Sequence, residues 1–433
     1  MKEGFQQLGL DIQHKIGYKI KSTKEAVMFT EELHSKVNCS ISLSTIRRFY
    51  GLIPYRNPQK ATLDALAQFL GFSSFSKYNQ YRIDSKGWID ELTLIDIKKS
   101  PVLEKKHIKY LNQLSKNKEF PIVLSRLFEF AYIENKKDFL CSLFQAKELN
   151  LFQYPDHINS VVFKTAFLIY NTIELSTPRT QLLNALLKLE LFRDYIIYNY
   201  IKSHDLNRNY GSILKQIQKS TKRPSEQLFL SLILELKSYY NLEEIQKIGW
   251  DEEELTGYPV PLIGRYWGYQ LLFSSYCENE AAYLQALDSI NTFCKHNSKS
   301  IPFFLFEVVL ALLLIKRIDT LTDLMSTYYE EMFESNHFHT DAERFLYTMA
   351  DAYCSIQQED LKTAMVLFES LRLDLLGNSS WKEQFMLFYS VLGYQLCVGK
   401  KQQIHLEAYL KLSSDSGYLL FDANYIENYL SMK

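Results

Sequence analysis

The residues with the most evident chemistry lie in one short stretch, Ser42 to Gly51, which reads S-L-S-T-I-R-R-F-Y-G. An ideal helix turns about 100° per residue, which puts Leu43, Ile46 and Tyr50 on one side and Ser44, Thr45 and Arg48 on the other. Ser42 or Ser44 can cap such a helix, and Gly51 ends it. The apolar side would seat the helix in a small bundle. The opposite side offers small hydroxyls that permit close approach, and a planar guanidinium that can grip a guanine edge or a phosphate. Ser42, Ser44, Thr45 and Arg48 are therefore candidate contacts to base edges or to the groove. Arg47, with Arg56 and Lys60 from the following loop L-I-P-Y-R-N-P-Q-K, are candidate contacts to phosphate, which takes its hydrogen bonds from side chains and from amides at helix starts. The partner implied is double-stranded DNA. The structural alternative makes Arg47 and Arg48 surface residues of a four- or five-helix protein-interaction module.

The neighbouring residues predict the elements that would position this stretch. Phe5, Leu8, Ile12 and Ile16 recur at helical spacing, although Gly9 and Gly17 weaken that helix. From residue 22 to 37, Ser22 or Thr23 caps, Glu25 lies in the first turn, and Ala26, Phe29, Leu33 and Val37 form a stripe. N-C-S-I then makes a turn. After the basic loop, Thr62 is predicted to cap T-L-D-A-L-A-Q-F-L-G-F, with Leu63, Leu66, Ala67 and Leu70 inward and Gly71 closing it. A short aromatic helix, F-S-K-Y-N-Q-Y, completes the unit near Arg82.

The run S-T-I-R-R-F-Y-G, the loop that follows and T-L-D-A-L-A-Q-F-L-G-F together resemble the second half of a lambda-repressor/Cro-like helix-turn-helix domain. They are still more similar to the N-terminal module of large helical proteins from Bacteroidetes. The resemblance spans roughly the first 80 residues. It implies a polar-faced recognition helix with a packing helix behind it, and duplex DNA as the ligand. The front half departs from the pattern: the helix before the turn is long, and N-C-S-I-S stands where a tight glycine turn is usual.

The whole chain has 433 residues, 47% hydrophobic and 23% charged, with only 15 Gly and 10 Pro but 30 Tyr and 28 Phe. This composition argues against disorder and against a many-turned all-β fold, and for long helices with an aromatic core. The net charge is −1, yet residues 1–82 carry twelve Lys/Arg against six Asp/Glu, a net +6. A basic head on an acidic body fits a chain in which only the head meets a polyanion. The six cysteines are dispersed and predict reduced thiols in the cytosol rather than disulfides. The N-terminus has no apolar signal core. The most apolar run, Ile301 to Ile315, is shorter than a bilayer span, is interrupted by Glu307, and reads as a buried helix. There is no phosphate-binding glycine loop, nucleophile elbow or H-E-x-x-H. His337 and His339 with Asp341 lack the further ligands a metal needs. No enzyme activity, cofactor, metal or membrane partner is expected.

The expected fold class is all-α, with a helix-turn-helix bundle at 1–84, a connector at 85–100 holding at most one short strand or helix, and a helical-repeat body at 101–433. Ser100-Pro101 and Thr177-Pro178 read as helix starts. Residues 266–290, 345–368 and 388–410 give degenerate matches to a tetratricopeptide-like pair, through Gly268, Tyr276, Ala286 and Ile290; Ala350, Tyr353, Ala364 and Phe368; and Gly393 and Ala408. The body so read dimerises or receives a peptide or protein signal. Residues 249–265, with three glycines, two prolines and an acidic run, read as a hinge, or as a solvated link between helices. A DNA-binding regulator is the first reading of the whole; an interaction scaffold with a purely structural head is the second.

Overall fold

With glycine and proline so scarce, little interrupts helix formation, and the computed structural model is all-α. It describes residues 2–37, 39–54, 57–115, 120–146, 149, 177–333, 341–377 and 379–430, and no strand occurs among them. The chain divides into two units, Met1–Ser100 and Pro101–Lys433.

The first unit holds α1 (Lys2–Ile16), α2 (Thr23–Lys36), α3 (Leu43–Phe49), α4 (Lys60–Leu70) and α5 (Phe75–Lys99). Leu8, Ile12, Ala26, Phe29, Leu33, Ile46, Leu66 and Ala67 are fully buried at its centre. The stripes predicted on α1, α2 and α4 all face this core, with Phe5, Ile16 and Leu70 half-buried at its edge. Gly9 does not weaken α1. It lets α3 approach, for a Cβ there would sit 3.2 Å from the Phe49 ring, and the Tyr50 hydroxyl donates to the Gly9 carbonyl at 3.4 Å.

Three expectations in this part of the chain are corrected. Helix α4 starts at Lys60 with Gln59 as its cap, so Thr62 lies inside the first turn. Residues 85–100 are not a connector. They continue the aromatic helix, which runs unbroken through Gly87 to Lys99. Ser100 closes that helix, and the next begins at Lys105 behind Glu104, so Ser100-Pro101 is not a start.

In the second unit the longer helices are α6 (Lys105–Leu114), α7 (Phe120–Ile133), α8 (Lys137–Gln145), α9 (Thr177–Leu186), α10 (Asn209–Gln218), α11 (Pro224–Tyr240), α12 (Val260–Tyr276), α13 (Glu280–His296), α14 (Ile301–Leu314), α15 (Ile318–Thr327), α16 (Asp341–Gln357), α17 (Leu361–Ser370), α18 (Lys382–Leu396) and α19 (Lys400–Ser416). From α12 onward they form pairs whose first members begin at Val260, Ile301, Asp341 and Lys382, 40 or 41 residues apart. Each first helix packs on its own second helix and on the next first helix. Helices α12 and α14 approach closely, for a Cβ on Gly264 would meet the Phe304 carbonyl at 2.3 Å.

Helix α11 and the first three of these first helices end alike. Leu242, Glu278, Lys316 and Glu359 take φ of 53–62°. At each, the N–H of that residue bonds three residues back and the next N–H bonds five residues back, as at Glu278→Ser275 and Asn279→Ser274. This is the Schellman end, ordinarily the place of a glycine. The array also closes on itself. The Tyr418 hydroxyl donates to the Ser203 carbonyl and accepts from the Leu206 N–H, and the Leu420 N–H donates to the Tyr240 carbonyl at 3.0 Å.

Helix α14 is buried along nearly its whole length, Glu307 included. No single described helix is long and apolar enough to cross a membrane. Within 249–265, residues 252–255 form one helical turn and Val260 already opens α12. The chain before them is tied down: the Tyr269 hydroxyl donates to the Gln246 carbonyl, and the Gln270 amide to the Ile248 carbonyl at 2.8 Å.

Candidate nucleic-acid interface

Helix α3 is placed by its caps and by one apolar face. Ser42 is the N-cap, its Oγ accepting from the Thr45 N–H at 3.3 Å. The start of the helix is further fixed from α2, where the His34 ring bonds the Ile41 carbonyl at 2.8 Å. Ile46 is fully buried, while Leu43, Phe49 and Tyr50 lie half-buried against the core. Burial pushes the Tyr50 phenol well above its usual range, with Tyr18 adding to the effect, so it stays protonated as a donor to Gly9. At the other end Gly51 takes φ 72°, and the Gly51 and Leu52 N–H groups bond the Arg48 and Arg47 carbonyls at 3.1 and 2.8 Å. Helix α4 ends the same way at Gly71, φ 105°. In both, glycine supplies the left-handed residue that other side chains adopt at a cost.

The predicted contact residues fall into three groups. Ser42, Ser44 and Thr45 gather at the start of α3, where the Ser42 Oγ lies 2.9 Å from the Ser44 Oγ and 3.0 Å from the Thr45 Oγ1. The Ser42 Oγ, which also accepts from the Thr45 N–H, is filled by these bonds, while the Ser44 and Thr45 hydroxyls keep acceptor capacity beyond them. Arg47 and Arg48 lie together in the last turn of α3. Both are half-buried, neither has a carboxylate partner among the described residues, and the Arg47 Nε is a buried donor with no hydrogen bond. Lys60 is exposed at the first position of α4. Arg56 lies outside the described residues, as do His337 and His339. Cations this free of counter-charge can each meet a phosphate without breaking a bond within the protein.

No family model, curated protein or solved structure matches this chain.

Several residues that hold the structure together escape a reading of the sequence. In the head, His34 pins the turn, and Lys15 donates to the Phe69 carbonyl at 2.6 Å at the end of α4. In the body, Glu226 is almost fully buried. It accepts from the Arg193 Nε at 2.7 Å, the Arg223 Nη2 at 2.6 Å and the Tyr198 hydroxyl at 3.1 Å, with Thr221 also bonded. Burial pushes its carboxyl up, but these donors outweigh it and hold the group at about 2. Arg265 and Glu307, both buried, pair between α12 and α14 through the Arg265 Nε and Nη2. Burial raises the Glu307 carboxyl and Arg265 opposes that rise. The available signal was a charge inside an apolar run, which burial makes too costly to leave unpaired.

Along α12, Tyr266 and Tyr269 are buried, Trp267 and Phe273 half-buried, and Tyr276 exposed. All six cysteines are free thiols.

Proposed function

We propose that the protein is a cytosolic DNA-binding regulator. In this reading α2, the turn and α3 form a helix-turn-helix. Helix α3 lies in the major groove of duplex DNA, and α1, α4 and α5 form the supporting bundle. Arg48, Ser44 and Thr45 face base edges; Arg47, Lys60 and Arg56 hold phosphates. The observation that carries the reading is the set of cations, Arg47, Arg48 and Lys60, left without a carboxylate on a unit whose first 82 residues carry a net +6. An all-helical bundle with a short, well-capped helix bearing two of those cations, Arg47 and Arg48, is the form such readers take. The body acts as a helical-repeat array of tetratricopeptide-like type. Its 40–41-residue spacing is longer than the 34 residues of that repeat, and its paired first and second helices support the array reading. It would dimerise, or receive a peptide or protein, and so set the spacing of two heads on half-sites about one helical turn apart.

One observation favours the scaffold alternative, in which the head binds no nucleic acid: the hydroxyls of Ser42, Ser44 and Thr45 bond one another rather than standing open. The test is selection from a random duplex pool with full-length protein. A recurrent, two-fold motif recovered at moderate salt is the result the regulator reading predicts. Failure to enrich any sequence, together with absence of retention at low salt, contradicts it and favours the scaffold.

A further inference from the structure

The start of α11, the start of α12 and the chain from Asp194 to Asn199 enclose a cleft of about 400 Å³ that opens to solvent. That volume falls within the range of ligand sites. One wall carries a π-helical turn, Arg193–Ile197, a rare form that recurs at functional sites. The apolar lining is Tyr195, Tyr198, Phe229, Pro261 and Leu262. Beside it stands a polar wall of Asp194, Arg223 and Glu226.

The polar wall has acceptors to spare, and they belong to one residue. Glu226 is filled: its Oε1 accepts from Arg193, Arg223 and Tyr198, and its Oε2 from Arg193 and Thr221. Asp194 is not. Each of its oxygens takes one bond, both from Arg223, where a carboxylate oxygen has room for about two. Its side chain is 34% exposed. Charge points the same way. Arg193 and Arg223 stand against Glu190, Asp194 and Glu226, two cations to three carboxylates, while Arg265 is matched by Glu307. The link that leads into Pro259 adds four exposed carboxylates, Asp251 to Glu254, and no cation.

The cleft also has unspent donors. Helix α11 has no side-chain cap, and its Ser225 and Glu226 N–H groups bond no carbonyl among the described residues. A carboxylate or phosphate ligand would meet Asp194 and the surplus of negative charge. A simple ammonium ion would leave the α11 donors unmatched. A peptide that carries arginine or lysine matches both, with its cation on Asp194 and a main-chain carbonyl on the donors.

We infer that this cleft binds a basic peptide, one arginine or lysine against Asp194 and an apolar neighbour against Phe229 and Leu262. The inference rests on the reading of the body as an array that receives a peptide, and is independent of DNA binding by the head.

The test is ligand-observed saturation-transfer NMR on the full chain, with acetyl-Leu-Arg-Leu-amide, acetyl-Leu-Gln-Leu-amide and acetyl-Leu-Glu-Leu-amide as probes. The arginine peptide is expected to bind with a Kd on the order of 0.1 mM. The glutamine peptide should bind at least fivefold more weakly, and the glutamate peptide more weakly still. Asp194→Asn keeps the shape of the wall and leaves Arg223 bound to Glu190 and Glu226. It should weaken the arginine peptide at least fivefold and leave the glutamine peptide within twofold. Ser225→Trp, which fills the cleft from the start of α11, should abolish binding of all three. Three results overturn the inference: the arginine peptide failing to bind up to 20 mM, the glutamate peptide binding as well as the arginine peptide, or Ser225→Trp, folded by circular dichroism, leaving binding unchanged. Sedimentation equilibrium of the full chain reads the dimerisation half of the array reading separately, so a dimer without peptide binding removes this inference alone.

Discussion

Arginines are paired more often in one unit than in the other. In the body, Arg193, Arg223, Arg265, Arg317 and Arg372 each lie within ion-pair distance of a carboxylate, while the exposed Arg126, Arg208 and Arg344 have no carboxylate partner among the described residues. In the head, Arg47 and Arg48 share one helical turn and have no carboxylate partner among the described residues. A paired arginine is already spent. Drawing it to an outside anion means breaking a bond and exposing a counter-charge. An unpaired arginine is held in place by its helix, with its charge still available. The difference separates the buried pairs of Arg193 and Arg265, which tie helices of the body together, from Arg47 and Arg48, which an outside polyanion can reach.

The sharpest way to break this comparison is to remove one arginine of each kind. Arg265→Ala strands Glu307 in the core. A buried charge deprived of its partner costs about 3–5 kcal/mol, so urea denaturation of the full chain should show the body weakened by that order. A loss under about 1 kcal/mol would show that water reaches the site and that the pair is not structural.

Acid provides the second test. Glu226 is held at about 2, below its ordinary value near 4.5. Its contribution is therefore complete above pH 4.5 and is lost as pH falls towards 2. A shift of that size is on the order of 3 kcal/mol. Glu307, raised by burial, has the opposite sign and regains stability over the acid range. The wild-type chain should lose stability between pH 4.5 and 2.5, and Glu226→Gln should flatten that loss while starting lower at pH 7. Parallel pH profiles for the two would remove Glu226 from the account.

Arg48→Ala is the counterpart in the head. With no internal partner to strand, its stability should change by less than about 0.5 kcal/mol, while affinity for a selected duplex falls by about 1–3 kcal/mol. A clear loss of stability with unchanged DNA binding would reverse the comparison.

The smallest effect concerns how α3 is ended. Gly51 has open space around the position of a Cβ, so Gly51→Ala meets only the cost of a left-handed alanine, roughly 1 kcal/mol. Hydrogen exchange at the Leu52 amide should speed up accordingly. No change there would mean that the cap is not formed in solution.

How much of this was legible in the sequence depended on how local the cause was. The stripe Ala26, Phe29, Leu33 and Val37, the Ser42 cap and the Gly51 and Gly71 ends were readable because each acts within one or two turns. Residues 85–100 were misread because Gly87 and mixed polarity mask a helix that nonetheless runs on to Lys99. Thr62 was a good cap in type, but the helix had already begun behind Gln59. The repeat was obscured for another reason. The recurrent left-handed position is filled by Leu242, Glu278, Lys316 and Glu359, residues with no shared chemistry, so a regular backbone leaves no regular letter. The Arg265–Glu307 pair joins residues 42 apart in sequence. Each could be suspected as a charge in an apolar helix, but neither names the other.

In the proposed function the unpaired cations of the head, and not the paired ones of the body, meet DNA. The direct measurement is fluorescence anisotropy of full-length protein on duplex DNA across a salt series, for wild type, Arg47→Ala/Arg48→Ala and the body variant Arg317→Ala. Wild type should bind with a steep negative slope of log affinity on log salt. The head variant should lose affinity and become shallower by about one to two ions, each phosphate contact accounting for about one. Arg317→Ala should retain both the affinity and the slope of wild type. Binding that is absent at low salt, or equal losses for the head and body variants, would contradict the account.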